Sequence, residues 1–539
     1  MTKDRPYAAV PRRAFLAAAL GTAAAACTPG RPAPTGGGTT RASGPPTTPA
    51  GTTPTSPTET GSSTPTATRT PAGVAALRDA LGDRLVLPGD ARYAASARIF
   101  NPRFDGATPV AIAYCTSADE VRRCVDAARS AGVPPIARSG GHSYGGWSTG
   151  AGLVIDVTGI AGVTRTGGTA AVGGGARLID VYDALGRHGV GIPAGSCPTV
   201  GVAGLALGGG LGIEGRQFGL TSDRMLAVDV VLASGDVVTA TADSHADLLW
   251  ASRGGGGGNF GIATRFVFET HATADLTRWQ LRWPWASAAD VLMGWTDWVA
   301  ASPRELFTAA NCASTVGVPR PAVSLFGVWR GPPAQARSLI DDVVRRIGAQ
   351  PSATYLRTAT HDDTVRSLAG CATLTDSQCA SYSSGGGVPR QSYAVGSDML
   401  RSPLTQAGAA AIVSALEDRQ RRKLQTGSVL IDSLGGAIDD VAAEATAYAH
   451  RGALATVQSI ANWDARDAPA NAASNLAWLS ATRTLLAPHV SGEAYVNYLD
   501  PSRADWESAY YGANGQRLAA VKRAYDPQQV FGFPQGVRI

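Results

Sequence analysis

The stretch ARSGGHSYGGWSTG, residues 137–150, holds five glycines and one histidine in fourteen positions. A buried strand has no use for that composition. Glycine lacks a Cβ and lets backbone N–H groups approach a ligand closely, so the stretch reads as a loop shaped around something. One titratable ring, His142, sits inside it. Two further loops of this kind follow, GVAGLALGGGLG at 201–212 and GGGGGNFG at 254–261. Taken singly, a glycine-rich turn is only a turn. Three of them with hydrophobic flanks favour one extended anionic ligand such as a dinucleotide. They do not form the arrangement in which G-x-G-x-x-G opens a helix with an acid about twenty residues later.

Around these loops lies a chain of 539 residues, a length that suggests roughly three domains. Its 44% hydrophobic and 17% charged residues are ordinary for a globular protein with a large core. The net charge of +5 is too dilute for a nucleic-acid partner, and no Lys/Arg cluster interleaved with aromatics appears. At the N-terminus, PRRAFLAAALGTAAAAC (11–27) sets Arg12 and Arg13 before an apolar run too short to span a membrane. Residues 1–27 therefore read as a signal peptide, and the Arg-Arg-x-Phe-Leu pattern resembles a twin-arginine export signal. The run ends at Cys27 like a lipobox, with Ala24 where Leu or Val is usual. Lipidation of Cys27, giving a membrane tether, and plain cleavage both stay open. The expected location is extracellular or at the outer face of the cytoplasmic membrane. Residues 28–73 are Thr, Pro, Ser and Gly with almost no large apolar side chain, the composition of a disordered linker.

From there the patterns alternate. PVAIAYC (109–115) and GLVIDV (152–157) read as strands, as does VPPIAR before the first glycine loop. SADEVRRCVDAARSAG (117–132) reads as a helix with Ser117 as N-cap and Glu120 three residues on. MLAVDVVLASGDVVTAT (225–241) reads as a hairpin turning at Ser-Gly-Asp. The segment 274–485 has another texture, with tryptophans and long Ala-rich helical stretches, and reads as an α+β domain inserted into the first. Residues 486–539 return to a compact aromatic pattern. Five cysteines, Cys115, Cys124, Cys312, Cys371 and Cys379, are open to disulfide pairing. No cysteine or histidine spacing suggests zinc, and no metal site is expected.

Two nucleophilic side chains sit at the loops: His142 in the first and Cys197, in GIPAGSCPTVGVAG, just before the second. Together with RGGGGGNFGIAT and the C-terminal YVNYLD and YYGANGQRLAAVKRAYDPQQVF, these motifs resemble the berberine-bridge-enzyme-like flavin oxidases of the vanillyl-alcohol-oxidase superfamily. The resemblance covers about 85–539. It implies a two-part FAD-binding domain of the PCMH type (74–273 and 486–539) with an inserted substrate domain (274–485) built on an antiparallel sheet with covering helices. It also implies FAD bound at two points, His142 joined to the 8α-methyl of the isoalloxazine and Cys197 to C6. Their separation of 55 residues (197 − 142) is a little shorter than usual. Two attachments make the flavin a stronger oxidant and hold its plane fixed. The loops then supply the remaining cofactor contacts: Arg138, Ser139, Gly140, Gly141, Ser143, Val200, Gly201, Val202, Gly204, Gly208, Gly209, Gly212, Gly258, Gly261, Ile262 and, from the C-terminal motif, Asn497.

Catalysis in such enzymes moves a hydride from a substrate C–H to flavin N5 while a base removes a proton. By resemblance the base is Tyr498, with Tyr495 and Tyr144 at the reacting face. Placed on a strand, Tyr495 and Asn497 share one side and Tyr498 takes the other. A phenol has an unperturbed pKa of about 10, so Tyr498 needs a nearby cation to serve near neutrality. Val200 stands where related proteins gate oxygen, and valine favours an oxidase making H2O2. The expected partners are O2 and a small molecule, a sugar or oligosaccharide first and an alkaloid or antibiotic second, acting on a monomer; a flavin-loaded surface protein with little turnover is the reading of another class. Trp279, Trp283, Trp285, Trp295, Trp298 and Trp329 offer either core packing or stacking platforms for sugar rings. One departure from the family pattern is Gln529, where DPxNVF has asparagine.

Overall fold

The computed structural model describes residues 70–382, 387–464 and 469–539. The expectations for the signal peptide, for Cys27 and for nearly all of the linker lie outside the described residues. The short helix Ala72–Ala75 buries Val74 in a first core.

Two sheets carry the glycine loops. The first has the order β1-β2-β4-β3, from β1 (Leu85–Val86), β2 (Ala111–Tyr114), β3 (Pro135–Arg138) and β4 (Leu153–Asp156), with β4 parallel to both β2 and β3. The helix Ala118–Ser130 packs on it, its Ser117 side chain accepting from Glu120 N as its N-cap. The second sheet runs β5-β6-β10-β8-β9, from β5 (Val163–Thr166), β6 (Thr169–Gly173), β8 (Met225–Val231), β9 (Val237–Ala240) and β10 (Ile262–Glu269), and is antiparallel. Between them β7 (Val190–Gly191) pairs with β11 (His271–Ala272).

A seven-stranded antiparallel sheet follows: β12 (Leu276–Trp283), β13 (Leu306–Ser314), β14 (Ala322–Trp329), β15 (Ala353–Ala359), β16 (Ser392–Leu400), β17 (Gly427–Ser433) and β18 (Ala455–Trp463), in the order β15-β12-β14-β13-β17-β18-β16. Side chains alternate between its faces. One face, with Trp279, Leu281 and Trp283 at every second position, is sealed under the helices Ala288–Val299, Pro333–Ile347 and Gln406–Arg421. Trp279, Trp283, Trp295, Trp298 and Trp329 are all core here, and Trp285 packs against them. Stacking platforms for sugars are not what these tryptophans are. The other face turns toward the glycine loops.

Two local readings change. Residues 202–207 of the second glycine stretch form a helix, Val202–Leu207. The segment around Tyr495–Tyr498 is a turn, closed by Tyr498 N donating to Tyr495 O (2.8 Å), and not a strand. The open cysteines divide in the same way. Cys371 and Cys379 form a disulfide, whereas Cys115 and Cys124 lie with their sulfurs 3.8 Å apart, unjoined, and Cys312 is free and buried.

Gln529 adopts a left-handed backbone conformation, φ +52°, and its side chain is exposed. Asparagine visits this region more readily than glutamine. The departure from the family pattern is thus one of backbone preference and loses no side-chain contact. Gln529→Asn should raise stability by up to about 1 kcal/mol, read as a higher urea midpoint; an unchanged or lower midpoint contradicts the assignment.

Candidate functional site

The three glycine loops meet on one side of a cavity of about 590 Å³, and the open face of the seven-stranded sheet closes the other side. The first loop leaves β3 and crosses the second at Gly140. A Cβ on Gly140 would lie 2.2 Å from Gly201 N and 2.6 Å from Thr199 O, so only two bare backbones fit there. The third loop enters β10 and is pinned from the C-terminus. Lys522 Nζ, fully buried, donates to Asn259 O (2.5 Å), Phe531 O (2.6 Å) and Asp526 Oδ2 (2.6 Å), while Asp526 accepts from Val530 N and Phe531 N.

His142 and Cys197 both line the cavity. The His142 ring stacks on Phe100 at 4.0 Å, and its Nε2 lies 2.8 Å from Thr199 Oγ1. Burial, and after it the Arg177 guanidinium, hold the imidazole pKa down to about 3, so the ring is neutral. Most of the expected cofactor residues line the cavity, but Val202, Gly208 and Gly209 do not. Val202 is core, Gly208 packs on the Asn497 amide and Gly209 lies under the Tyr448 ring. Arg138 reaches the wall, yet its guanidinium is committed to a buried ion pair with Asp156 (2.5 Å) and to Ser96 O (2.8 Å). Ser139 Oγ is likewise spent on Gly174 O (2.7 Å).

These surroundings fit FAD on the chain's own geometry. A Cβ at Gly204 would meet no atom within 4 Å, so that backbone faces open cavity as a cradle for a flat ligand does. At the same wall Trp147 Nε1 is buried with no hydrogen-bond partner among the described residues. His142, its imidazole neutral, lines the same space.

Tyr144 and Tyr498 stack across the cavity, ring centroids 5.6 Å apart and 9° from parallel. Tyr495 stands edge-on to Tyr498 at 4.9 Å. Its hydroxyl accepts from Gly210 N (2.9 Å), Leu211 N (3.3 Å) and Asn497 Nδ2 (2.8 Å), which makes it a clamp on the second loop. Burial still pushes its pKa up to about 12. No cation that would lower the Tyr498 phenol is found among the described residues. Burial raises that phenol well above its ordinary value, and its strongest charged neighbour is an anion, Asp432, which raises it further. A phenol in that position stays protonated.

Asp432 is the residue that sequence reasoning missed. It sits on β17 two positions after Leu430, on the face of the sheet that looks into the cavity. Burial raises its pKa to about 7, and no hydrogen bond or ion pair among the described residues offsets this. The amide of Gln458, on β18 opposite Leu430, faces the same space beside the Tyr144 hydroxyl. Phe307, Phe326 and Leu430 supply apolar wall. A lone acid in the apolar run GSVLIDS was the available signal, since a buried unpaired carboxylate is costly unless it works.

Comparison with known proteins agrees with this architecture. The FAD binding domain family matches residues 109–241, and the family described as berberine and berberine like matches 494–538. The chain is 32% identical over 495 residues to the aclacinomycin-N/aclacinomycin-A oxidase of Streptomyces galilaeus, covering 82% of this chain and 87% of the relative. It is 29% identical over 495 residues to a carbohydrate oxidase of Microdochium nivale, covering 87% and 95%. Among solved structures, wild-type BBE-like 1 of Physcomitrella patens superposes with a TM-score of 0.78 at 30% identity, covering 86% of this chain and 98% of that one. The chain therefore belongs to the berberine-bridge-enzyme-like family of FAD-linked oxidoreductases.

Proposed function

We propose that this protein is an oxidase of alcohol carbons, holding FAD through both His142 and Cys197 and passing electrons to O2. The observation that carries the reading is Asp432, an unpaired carboxylate with a pKa near neutrality, aimed into the cavity beside the stacked pair Tyr144 and Tyr498. FAD bound along the glycine loops supplies the hydride acceptor. The chain's own residues do the rest. Asp432 takes the hydroxyl proton, which a phenol above its ordinary pKa would not do at neutral pH. Tyr498, kept neutral, orients the alcohol, and Tyr144 stacks beside it. Gln458, beside the Tyr144 hydroxyl, offers an amide N–H to a second oxygen of the substrate. Val200, at the cavity wall beside Cys197, leaves room for oxygen.

A polyhydroxylated substrate, a sugar or oligosaccharide, matches the pairing of an acceptor, Asp432, with an amide donor, Gln458. The likeness to a carbohydrate oxidase points the same way. The apolar wall of Phe307, Phe326 and Leu430 favours a second reading, a tailoring oxidase of an antibiotic or similar metabolite, in keeping with the Streptomyces galilaeus relative. Export by the Arg12–Arg13 leader, with or without a tether at Cys27, belongs to the same proposal. The test is anaerobic mixing of the purified yellow protein with sugars, oligosaccharides and glycosylated metabolites, followed by admission of air. Bleaching by a polyol and about one H2O2 per substrate are expected. Bleaching without H2O2 contradicts the oxidase assignment, and no bleaching by any polyol contradicts the substrate class.

A further inference from the structure

One proposed attachment point, His142, is hydrogen-bonded through Nε2 to Thr199 Oγ1 at 2.8 Å, close in the chain to the other, Cys197. Thr199 is fully buried, two residues after Cys197 and one before Val200. The backbone beside it is locked, because Gly140 is pressed against Thr199 O and Gly201 N with no space for a Cβ. On the imidazole itself, Phe100 stacks on the ring face at 4.0 Å and Tyr382 meets it edge-on at 5.9 Å. Ring plane and ring position are therefore fixed by apolar contacts, and Thr199 is the polar partner that distinguishes one nitrogen from the other.

A neutral imidazole has one N–H donor and one lone-pair nitrogen, and only the lone pair can form a new bond. A hydroxyl can accept from the first or donate to the second. With Nε2 taken by Thr199, Nδ1 is the nitrogen left for the ligand. We propose that Thr199 is a positioning residue for flavin attachment, holding the proton of His142 on Nε2 so that Nδ1 is the nucleophile. The proposal rests on the reading that His142 carries the flavin. In the step itself, Nδ1 bonds to the 8α-carbon of FAD and one C–H bond of that methyl breaks. The two electrons would be taken up by the isoalloxazine, from which O2 would remove them. The methyl hydrogen and the Nε2 hydrogen leave as protons and, with those two electrons, account for the H2O2 formed. Nε2 is then a lone pair, and the Thr199 hydroxyl turns to donate to it.

The test compares wild type, Thr199→Ser and Thr199→Val, each loaded with FAD for the same time. The readout is the fraction of the tryptic peptide 139–165, which contains His142, that carries flavin mass; total bound FAD is measured in parallel. Serine keeps the hydroxyl and should retain most of the wild-type occupancy. Valine keeps the bulk and loses the hydroxyl, and its occupancy should fall by about tenfold or more while FAD still binds. Thr199→Ala replaces the valine variant if that one is insoluble. Equal occupancy in wild type and in the variant without a hydroxyl overturns the role of Thr199 alone. An unmodified peptide in wild type overturns the attachment at His142 and this proposal with it.

Discussion

Asp432→Asn should lower the rate of anaerobic flavin reduction by about 10²–10⁴-fold, the usual contribution of a positioned general base. The side chain lies on the cavity face of β17, with burial holding its pKa at about 7. Below that pH the carboxyl is protonated and cannot accept the alcohol proton. Wild-type reduction should therefore fall about tenfold per pH unit under pH 7 and level off above it, while the asparagine variant should be slow and flat. Tyr498→Phe should cost less and keep the wild-type pH profile, because the phenol stays protonated throughout. A reversed order, with Tyr498→Phe the slower and Asp432→Asn retaining the pH dependence, would return the base to the tyrosine. Stability gives an independent sign. A carboxylate whose pKa is raised on folding adds stability below its unfolded value near 4 and loses it as pH rises through about 7. Asp432→Asn should thus unfold at a higher urea concentration than wild type at pH 8, so that lost activity cannot be ascribed to lost fold.

Lys522→Met should destabilise the protein by about 3–5 kcal/mol, the effect of stranding one member of a buried ion pair. Lys522 and Asp526 are essentially without solvent exposure, and the ammonium spends its hydrogens on Asp526 Oδ2, Asn259 O and Phe531 O. Removing it leaves the Asp526 carboxylate buried beside two backbone carbonyls that have lost their donor. The third glycine loop, which contains Asn259, loses this tie to the C-terminal segment in the same step and keeps the bond from Val537 N to Asn259 Oδ1. Urea unfolding followed by tryptophan fluorescence measures the loss, and FAD affinity should weaken with it. Lys522→Met with Asp526→Leu should recover only part of the stability, because Asp526 also accepts from Val530 N and Phe531 N. A single variant as stable as wild type would show that this pair does not hold the loop.

The sequence made the cofactor side legible, for a local reason. The Ser117 cap acts within a few residues of chain, and the glycine runs and the histidine mark their loops by local composition, although Gly140 meets Gly201 and His142 meets Thr199 only across the fold. The roof was not legible. Asp432 and Gln458 become neighbours of Tyr144 and Tyr498 only through the register of β17 on β18 and the docking of that sheet over the loops. The tryptophans illustrate the same point from the other face. Trp279 and Trp283 alternate with Arg278 and Arg282, a period-two pattern that marks a strand side, yet which side is buried depends on helices supplied later in the chain. Placing Tyr495–Tyr498 on a strand passes over Asn497, and Asp500 followed by Pro501, which are turn-forming residues.

The measurement that bears most directly on the account is peptide mass mapping of the native protein after acid denaturation and tryptic cleavage. The account predicts one flavin bridging the peptide 139–165, through His142, and the peptide 188–216, through Cys197, with the colour staying on the polypeptide. Both peptides recovered at their unmodified masses, with all the flavin in the supernatant, would contradict it.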